Sequence, residues 1–180
     1  MTSTREALSE IRRFVNTREP AGPDAIATPE GLRAWLAAQD LNAGDVPVRE
    51  ADVARAMGLR EALRALMLAN HEQTVDAEAA AALNGYAAEL PLVVRLGSDG
   101  GFELAPESTG ADGGLARILG LVFTSMADGT WPRMKACRDD TCGWAFYDTS
   151  KNRSGAWCSM RYCGNRAKAR AYRRRQRESA

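Results

Sequence analysis

The chain has 180 residues, enough for one moderate domain or for a core domain with a small appended module, and its 45% apolar content excludes a mainly disordered protein. No apolar run approaches the roughly 20 residues of a membrane helix and nothing near Met1 resembles a signal peptide, so we expect a cytoplasmic protein with no membrane partner. The net charge of +1 hides an asymmetry, because residues 131–180 hold 13 basic and 4 acidic side chains, a charge of +9, and the preceding residues carry −8. An anionic partner for the basic segment explains this distribution, and so does a solvated basic tail.

Helical periodicity dominates the first half of the chain. Four helices are predicted there, over residues 3–16, from Thr28-Pro29 onward, over residues 49–70 and over residues 76–89. Ser3 and Glu6 have the spacing of a capping box. Pro29 takes the first helical position that proline favours, and Gly44-Asp45 marks a break before the long third helix.

The periodicity then changes to that of strands. Leu92–Leu96 and Phe102-Glu103-Leu104 flank Ser98-Asp99-Gly100-Gly101, which predicts a β-hairpin. A further helix is expected over residues 112–127, ended by Asp128-Gly129. We therefore predict a mainly α fold with a β-hairpin (α+β), with a helical N-terminal domain over residues 1–130.

Catalytic signals are absent from the sequence. His71 is the only histidine and follows Asn70 near a predicted helix end, where an exposed or capping role is expected. There is no phosphate-binding glycine loop, no nucleophile elbow and no paired-histidine metal motif. We therefore expect the protein not to be an enzyme.

The cysteines all lie in the C-terminal segment, residues 131–180. They form two C-x4-C pairs separated by fifteen residues: Cys137, Cys142, Cys158 and Cys163. Two closely spaced pairs supply the four tetrahedral ligands of zinc, and in an intracellular chain this pattern favours metal over disulfides. Four thiolates leave no open position, so we expect one structural Zn²⁺ in a small treble-clef-like zinc finger.

A basic helix is predicted after the last cysteine pair. Ser159 is a suitable N-cap for a helix that reaches about Arg177. The expected nucleic-acid-binding residues follow Cys158: Arg161, Asn165, Arg166, Lys168, Arg170, Arg173, Arg174 and Arg177. Several of these arginines share one helical face, where mutual repulsion would be relieved by a phosphate backbone. Asn165 could bond an adenine edge or only cap the backbone. Tyr162 and Tyr172 could pack against the zinc module or stack on sugars, and packing is the role that we expect.

These residues together resemble a known family. The resemblance rests on the cysteines and on the motifs Phe146-Tyr147-Asp148, Trp157-Cys158-Ser159-Met160 and Cys163-Gly164-Asn165-Arg166, which are similar to those of the CGNR zinc finger. In that bacterial family the finger follows an ABATE domain, which is described as a stress-induced transcription regulator. The resemblance implies zinc at the four cysteines and binding of duplex DNA through the helix that begins with the CGNR run.

The N-terminal part resembles the ABATE domain in two short motifs. Phe14-Val15-Asn16-Thr17 is similar to its F-x-N-T element, and Leu32-Arg33-Ala34-Trp35-Leu36 to the helix that follows. The family usually has a strand before F-x-N-T, whereas a helix is predicted here. Asn16 and Arg18 are the candidates for a small-molecule effector pocket in this region.

Our leading hypothesis is a zinc-dependent DNA-binding transcription regulator, located in the cytoplasm and on the nucleoid when bound to DNA. Its N-terminal domain would sense an effector or mediate assembly, with a homodimer as one form. RNA binding is an alternative, because basic helices serve both nucleic acids. A second alternative is an enzyme with its site in the N-terminal domain and a purely structural zinc module.

Overall fold

The computed structural model of the chain describes residues 4–41, 46–97 and 100–178. Ser3, the Gly44-Asp45 break and Ser98-Asp99 of the hairpin turn lie outside the described residues, so the expectations on them stay predictions. The described residues are mainly helical with two small antiparallel hairpins, which confirms the predicted α+β class. None of their helices is both long enough and apolar enough for a bilayer-spanning segment.

Six α-helices and four strands form within these residues. The helices are α1 (Thr4–Val15), α2 (Pro29–Ala38), α3 (Glu50–Ala69), α4 (Ala77–Glu89), α5 (Gly110–Ala127) and α6 (Asn165–Glu178). The strands pair as β1 (Leu92–Leu96) with β2 (Phe102–Pro106), and β3 (Met134–Ala136) with β4 (Ala145–Tyr147).

Local capping fixes where the helices begin. The Thr28 hydroxyl accepts from the Gly31 N–H at 3.1 Å, and the Asp76 carboxylate accepts from the Ala79 N–H at 2.9 Å. These contacts confirm the predicted starts of α2 and α4. The fifth helix starts two residues earlier than predicted, at Gly110, whose φ of +68° suits a residue without a side chain.

Helices α1, α3 and α5 supply most of the hydrophobic core. Its fully buried side chains include Ile11, Phe14, Leu59, Leu63, Met67, Leu115 and Ile118. Helix α2 closes one side of this core, where the Phe14 and Trp35 rings lie 5.5 Å apart. Residues 8–13 belong to α1, so the predicted helix before the F-x-N-T motif is confirmed.

The two hairpins occupy different places in this arrangement. The β1–β2 hairpin packs on α5 and pairs Leu92 with Pro106 and Leu96 with Phe102. The β3–β4 hairpin packs against α3 and α1, and its residues Met134, Ala136 and Ala145 are part of the same hydrophobic core. Because β3 leads directly into the first cysteine, the helical core positions the start of the cysteine-rich segment.

Candidate metal centre and basic helix

The four cysteine sulfurs meet at one point. All four Sγ atoms lie within 4.8 Å of one another, with 3.6 Å between Cys142 and Cys158 and 3.7 Å between Cys158 and Cys163. A regular tetrahedron with zinc–sulfur bonds of about 2.3 Å has edges of about 3.8 Å. Cys137, Cys142, Cys158 and Cys163 therefore fit one structural Zn²⁺, as their spacing predicts.

The first cysteine pair is held by a tight turn after β3. The Cys137 N–H donates to the Trp144 carbonyl at 2.9 Å, and the Cys142 N–H donates to the Asp139 carbonyl at 2.7 Å. Gly143 follows with φ of +60°, a conformation that glycine adopts without strain. The turn brings the Cys142 sulfur back beside that of Cys137.

The second pair is held by the start of the C-terminal helix. The Ser159 hydroxyl accepts from the Tyr162 N–H at 3.4 Å, which supports the predicted N-cap. The Gly164 N–H donates to the Ser159 carbonyl at 3.1 Å, a bond across five residues that defines a wide π-helical turn over Met160–Gly164. This turn was not predicted, and it places Cys163 close to Cys158.

A buried ion pair organises the loop between the two cysteine pairs. Lys135 Nζ lies 2.8 Å from Asp148 Oδ2, and both side chains are only 2% exposed. Lys135 also donates to the Arg153 carbonyl, while Asp148 accepts from the Gly155 N–H at 2.9 Å. Burial opposes the charge on Asp148, but these hydrogen bonds outweigh it and hold its pKa far below the ordinary value.

The sulfur cluster needs a cation to carry four thiolates. Burial raises the pKa of the Cys142 thiol to about 11 and raises that of Cys158 further, and the charge of Cys137 adds to both shifts. Burial also opposes the charge on Cys163, but the hydrogen bond from Arg166 Nη2 at 3.3 Å holds its pKa below the ordinary value. Bound zinc would supply the missing positive charge and fold this segment around itself.

Helix α6 extends away from the sulfur cluster. Each of its residues is exposed or half-buried, and its contacts are mainly with the π-helical turn before it. Arg166 Nε and Arg170 Nη2 lie 3.1 and 3.4 Å from Oδ2 of Asp139. The Asp139 side chain is fully buried, and its other oxygen accepts from the Thr141 hydroxyl at 2.8 Å. Two of the predicted nucleic-acid-binding arginines are thus directed at the metal centre.

All the predicted nucleic-acid-binding residues of this segment lie on the surface, since the Arg166 and Arg170 side chains are still 52% and 45% exposed. Arg161, Lys168, Arg173, Arg174 and Arg177 are exposed, and the Arg161 guanidinium lies 5.8 Å from the Tyr162 ring centre. The Asn165 amide donates to the Arg161 carbonyl at 3.0 Å. Tyr162 and Tyr172 are 65% and 58% exposed, so the expectation that they pack against the zinc module is wrong.

The two candidate effector residues lie in different cavities. Asn16 lines a cavity of about 550 Å³ together with Arg12 and Trp35. Arg18 lines another of about 190 Å³, beside Glu61 and Arg64. Asn16 and Arg18 thus line separate cavities.

His71 is neither exposed nor a helix cap. Its Nε2–H donates to the Ala136 carbonyl at 2.6 Å, and burial lowers its pKa. Asn70, its neighbour, donates to the Trp131 and Met134 carbonyls. The end of α3 thus holds the backbone of β3, a role that the sequence did not indicate.

The comparisons with known proteins agree with this geometry. Residues 133–176 match the CGNR zinc finger, and residues 12–128 match the ABATE family, described as "Putative stress-induced transcription regulator". Among curated proteins, none matches the chain significantly. Both family resemblances seen in the sequence are confirmed, in the expected order along the chain. Because the ABATE match spans well over half of its residues, the chain belongs to the ABATE family and carries a C-terminal CGNR zinc finger.

Proposed function

We propose that this protein is a transcription regulator that binds duplex DNA through α6. The observation that carries the proposal is a basic, solvent-exposed helix fixed at one end to a four-cysteine metal centre. Basic side chains on such a helix neutralise phosphates, and a closed zinc site gives the helix a defined start. The family description as a transcription regulator supports the same function.

The two parts of the chain would divide this work. Residues 131–180 would contact DNA, and residues 1–130 would bind an effector or mediate formation of a homodimer. Asn16 and Arg18 remain candidate effector contacts, each in its own cavity. The protein would act in the cytoplasm, associated with the nucleoid.

Salt-dependent binding to labelled duplex DNA tests this function. If about five basic residues contact phosphates, log K should fall with log salt at a slope of about −4.5. Replacing Arg173 and Arg177 by Ala should weaken binding and reduce that slope by about 1.8. Arg33→Ala, an exposed arginine of α2, is the matched control and should leave both quantities unchanged. Binding that hardly changes between 50 and 200 mM salt contradicts the proposal.

RNA binding is the second candidate, favoured by the exposed rings of Tyr162 and Tyr172. Aromatic side chains beside basic residues stack on unpaired bases. Competition at fixed salt between duplex DNA and single-stranded RNA of equal length distinguishes the two. Preferential displacement by RNA would support this second function.

A further inference from the structure

One face of the β1–β2 hairpin is apolar along its whole length. Residues that lie directly opposite each other in an antiparallel pair of strands share a face of the sheet. The residue pairs on this face are Leu92–Pro106, Val94–Leu104 and Leu96–Phe102. The face lies against α5, because a Cβ added at Gly120 would be 3.7 to 3.8 Å from side-chain atoms of Leu92 and Leu104.

The tip of this apolar face extends beyond the part that α5 covers. Val94, Leu96 and Phe102 are 67%, 66% and 76% exposed, whereas the end of the face over α5 is half-buried. Phe123 of α5 is 59% exposed and, with Val94 and Phe102, lines an open groove of about 580 Å³. We call Val94, Leu96, Phe102 and Phe123 the hairpin patch. Large apolar side chains that are grouped on the surface of a soluble protein commonly mark an interaction site.

We propose that the hairpin patch is the contact surface of a symmetric homodimer, in which it is covered by the same patch of a second copy. This inference rests on the assembly role within the proposed function and assigns that role to particular residues. The patch is separate from the basic helix, since the hairpin packs on α5 and the contacts of α6 are mainly with the π-helical turn. A dimer formed this way carries two basic helices and would favour DNA sites with two-fold symmetry.

The area of the hairpin patch matches what a stable dimer needs. Its four side chains expose roughly 450 Å² of apolar surface on each copy. A standard interface buries about 800 Å² on each partner, of which about 450 Å² is apolar. The patch contains no charged side chain, and charged residues are depleted at the centre of such interfaces.

The shape of the patch favours a second copy as its occupant. Leu96 and Phe102 lie together at the tip of the hairpin, and the groove lies beside them, between the hairpin and Phe123. On the helix side the groove is lined by the small residues Gly120 and Thr124, which leave space for an inserted side chain. A two-fold axis through the patch places the tip of each copy in the groove of the other, as an isologous interface requires.

Sedimentation velocity of the zinc-loaded full chain, without DNA, tests the dimer directly. The unmodified protein should sediment mainly as a dimer at about 100 µM, with a dissociation constant on the order of 10 µM. Phe102→Glu places a charge in the interface from both copies, so the dissociation constant should rise about 100-fold or more. Val75→Glu, at a 75% exposed apolar residue between α3 and α4, is the matched control and should leave the dissociation constant unchanged.

Phe123→Glu is a second, independent change on the other wall of the groove and should weaken the dimer by a similar factor. Both phenylalanines are exposed in the monomer, so each variant should keep the zinc content and helical circular dichroism of the unmodified protein. A dimer that persists in both variants overturns the proposal, because its interface must then lie elsewhere.

An unmodified protein that stays monomeric also overturns the proposal. Binding of an apolar dye by that monomer, lost in Phe102→Glu, would identify a small apolar molecule as the occupant of the groove instead. Because DNA is absent from these measurements, the dimer and the proposed function can fail separately. A monomer that binds duplex DNA removes only the dimer, and a dimer that does not bind DNA removes only the proposed function.

Discussion

The side-chain amide of Asn16 bonds both backbone groups of Ala145, donating to the carbonyl at 2.9 Å and accepting from the N–H at 2.7 Å. Asn16 directly follows α1, and Ala145 begins β4 in the cysteine-rich segment. An asparagine side chain can pair with both the N–H and the carbonyl of a strand residue because its amide carries a donor and an acceptor group side by side. The F-x-N-T motif thus has a structural role in joining the two family segments.

Replacing Asn16 by Asp should weaken this joint. Aspartate keeps the acceptor but sets a carboxylate oxygen against the Ala145 carbonyl, so we expect a loss of about 2 kcal/mol in the free energy of unfolding. Asn84→Asp, on the exposed side of α4, is the matched control and should change it by less than about 0.5 kcal/mol. Urea unfolding of both variants measures the difference. Equal stabilities would mean that the Asn16–Ala145 bonds contribute nothing.

Signals that act over a few residues were predictable from the sequence. The starts of α2 and α4 depend on Thr28 and Asp76, whose side chains cap a backbone group three residues away. The cysteine spacing predicted the metal centre for the same reason. The two cysteines of each pair are so near in sequence that a single turn brings their sulfurs together.

Contacts that depend on how distant segments meet were not predictable. Helical periodicity groups Arg166 and Arg170 on one face but does not say what that face meets. Asp139 meets them only because the first cysteine turn folds beneath the helix. The acidic pair Asp139-Asp140, between the first two cysteines of a strongly basic segment, is the one signal that could have suggested it. The exposure of Tyr172 follows from the same geometry, since it lies on the side away from Asp139.

Removal of zinc should unfold the cysteine-rich segment while leaving most of the helical core. The core side chains of α1, α3 and α5 pack on one another, whereas the segment after Ala136 is small and depends on its metal. The unmodified protein should contain about one zinc per chain, and Cys142→Ser should lose it. Met160→Leu, in the same segment, should keep it. A Cys142→Ser variant that retains full zinc content would contradict the assigned ligands.

Replacing only one partner of the Lys135–Asp148 pair should strongly lower the stability of the protein. Lys135→Met leaves the Asp148 carboxylate buried without its cation, so we expect a loss of about 3 kcal/mol in unfolding free energy. The double variant with Asp148→Asn should lose less than the sum of the two single variants, because the second change removes the uncompensated charge. Lys151→Met, on the exposed part of the same loop, is the control. Strict additivity in denaturant unfolding would argue against a direct interaction.

Asp24 should make stability depend on pH in the acid range. Its carboxylate accepts from both Nη atoms of Arg60, at 2.7 and 2.8 Å. Burial opposes the charge on Asp24, but these hydrogen bonds outweigh it and lower its pKa. A lowered pKa gives stabilisation that is complete above the unfolded value of about 3.9 and is lost as pH falls through the folded value. The stability difference between the unmodified protein and Asp24→Asn should therefore be constant from about pH 7 to 5 and shrink below about pH 4. If this stability difference grew on acidification, the pKa of Asp24 would be raised by folding and not lowered.

Two glycines of α5 should respond in opposite directions to substitution by alanine. A Cβ at Gly114 would lie 2.7 Å from the Leu36 side chain and 2.9 Å from the Leu41 carbonyl, so that backbone must move. At Gly120 a Cβ would meet Leu92 and Leu104 at 3.7 to 3.8 Å, which is ordinary van der Waals contact. Alanine favours the helix by about 1 kcal/mol over glycine, so Gly120→Ala should raise the melting temperature. Gly114→Ala should lower it, because overpacking costs about 1–3 kcal/mol and outweighs the same helical gain. If both variants were stabilised, α5 at Gly114 would lie farther from the end of α2 than in this structure.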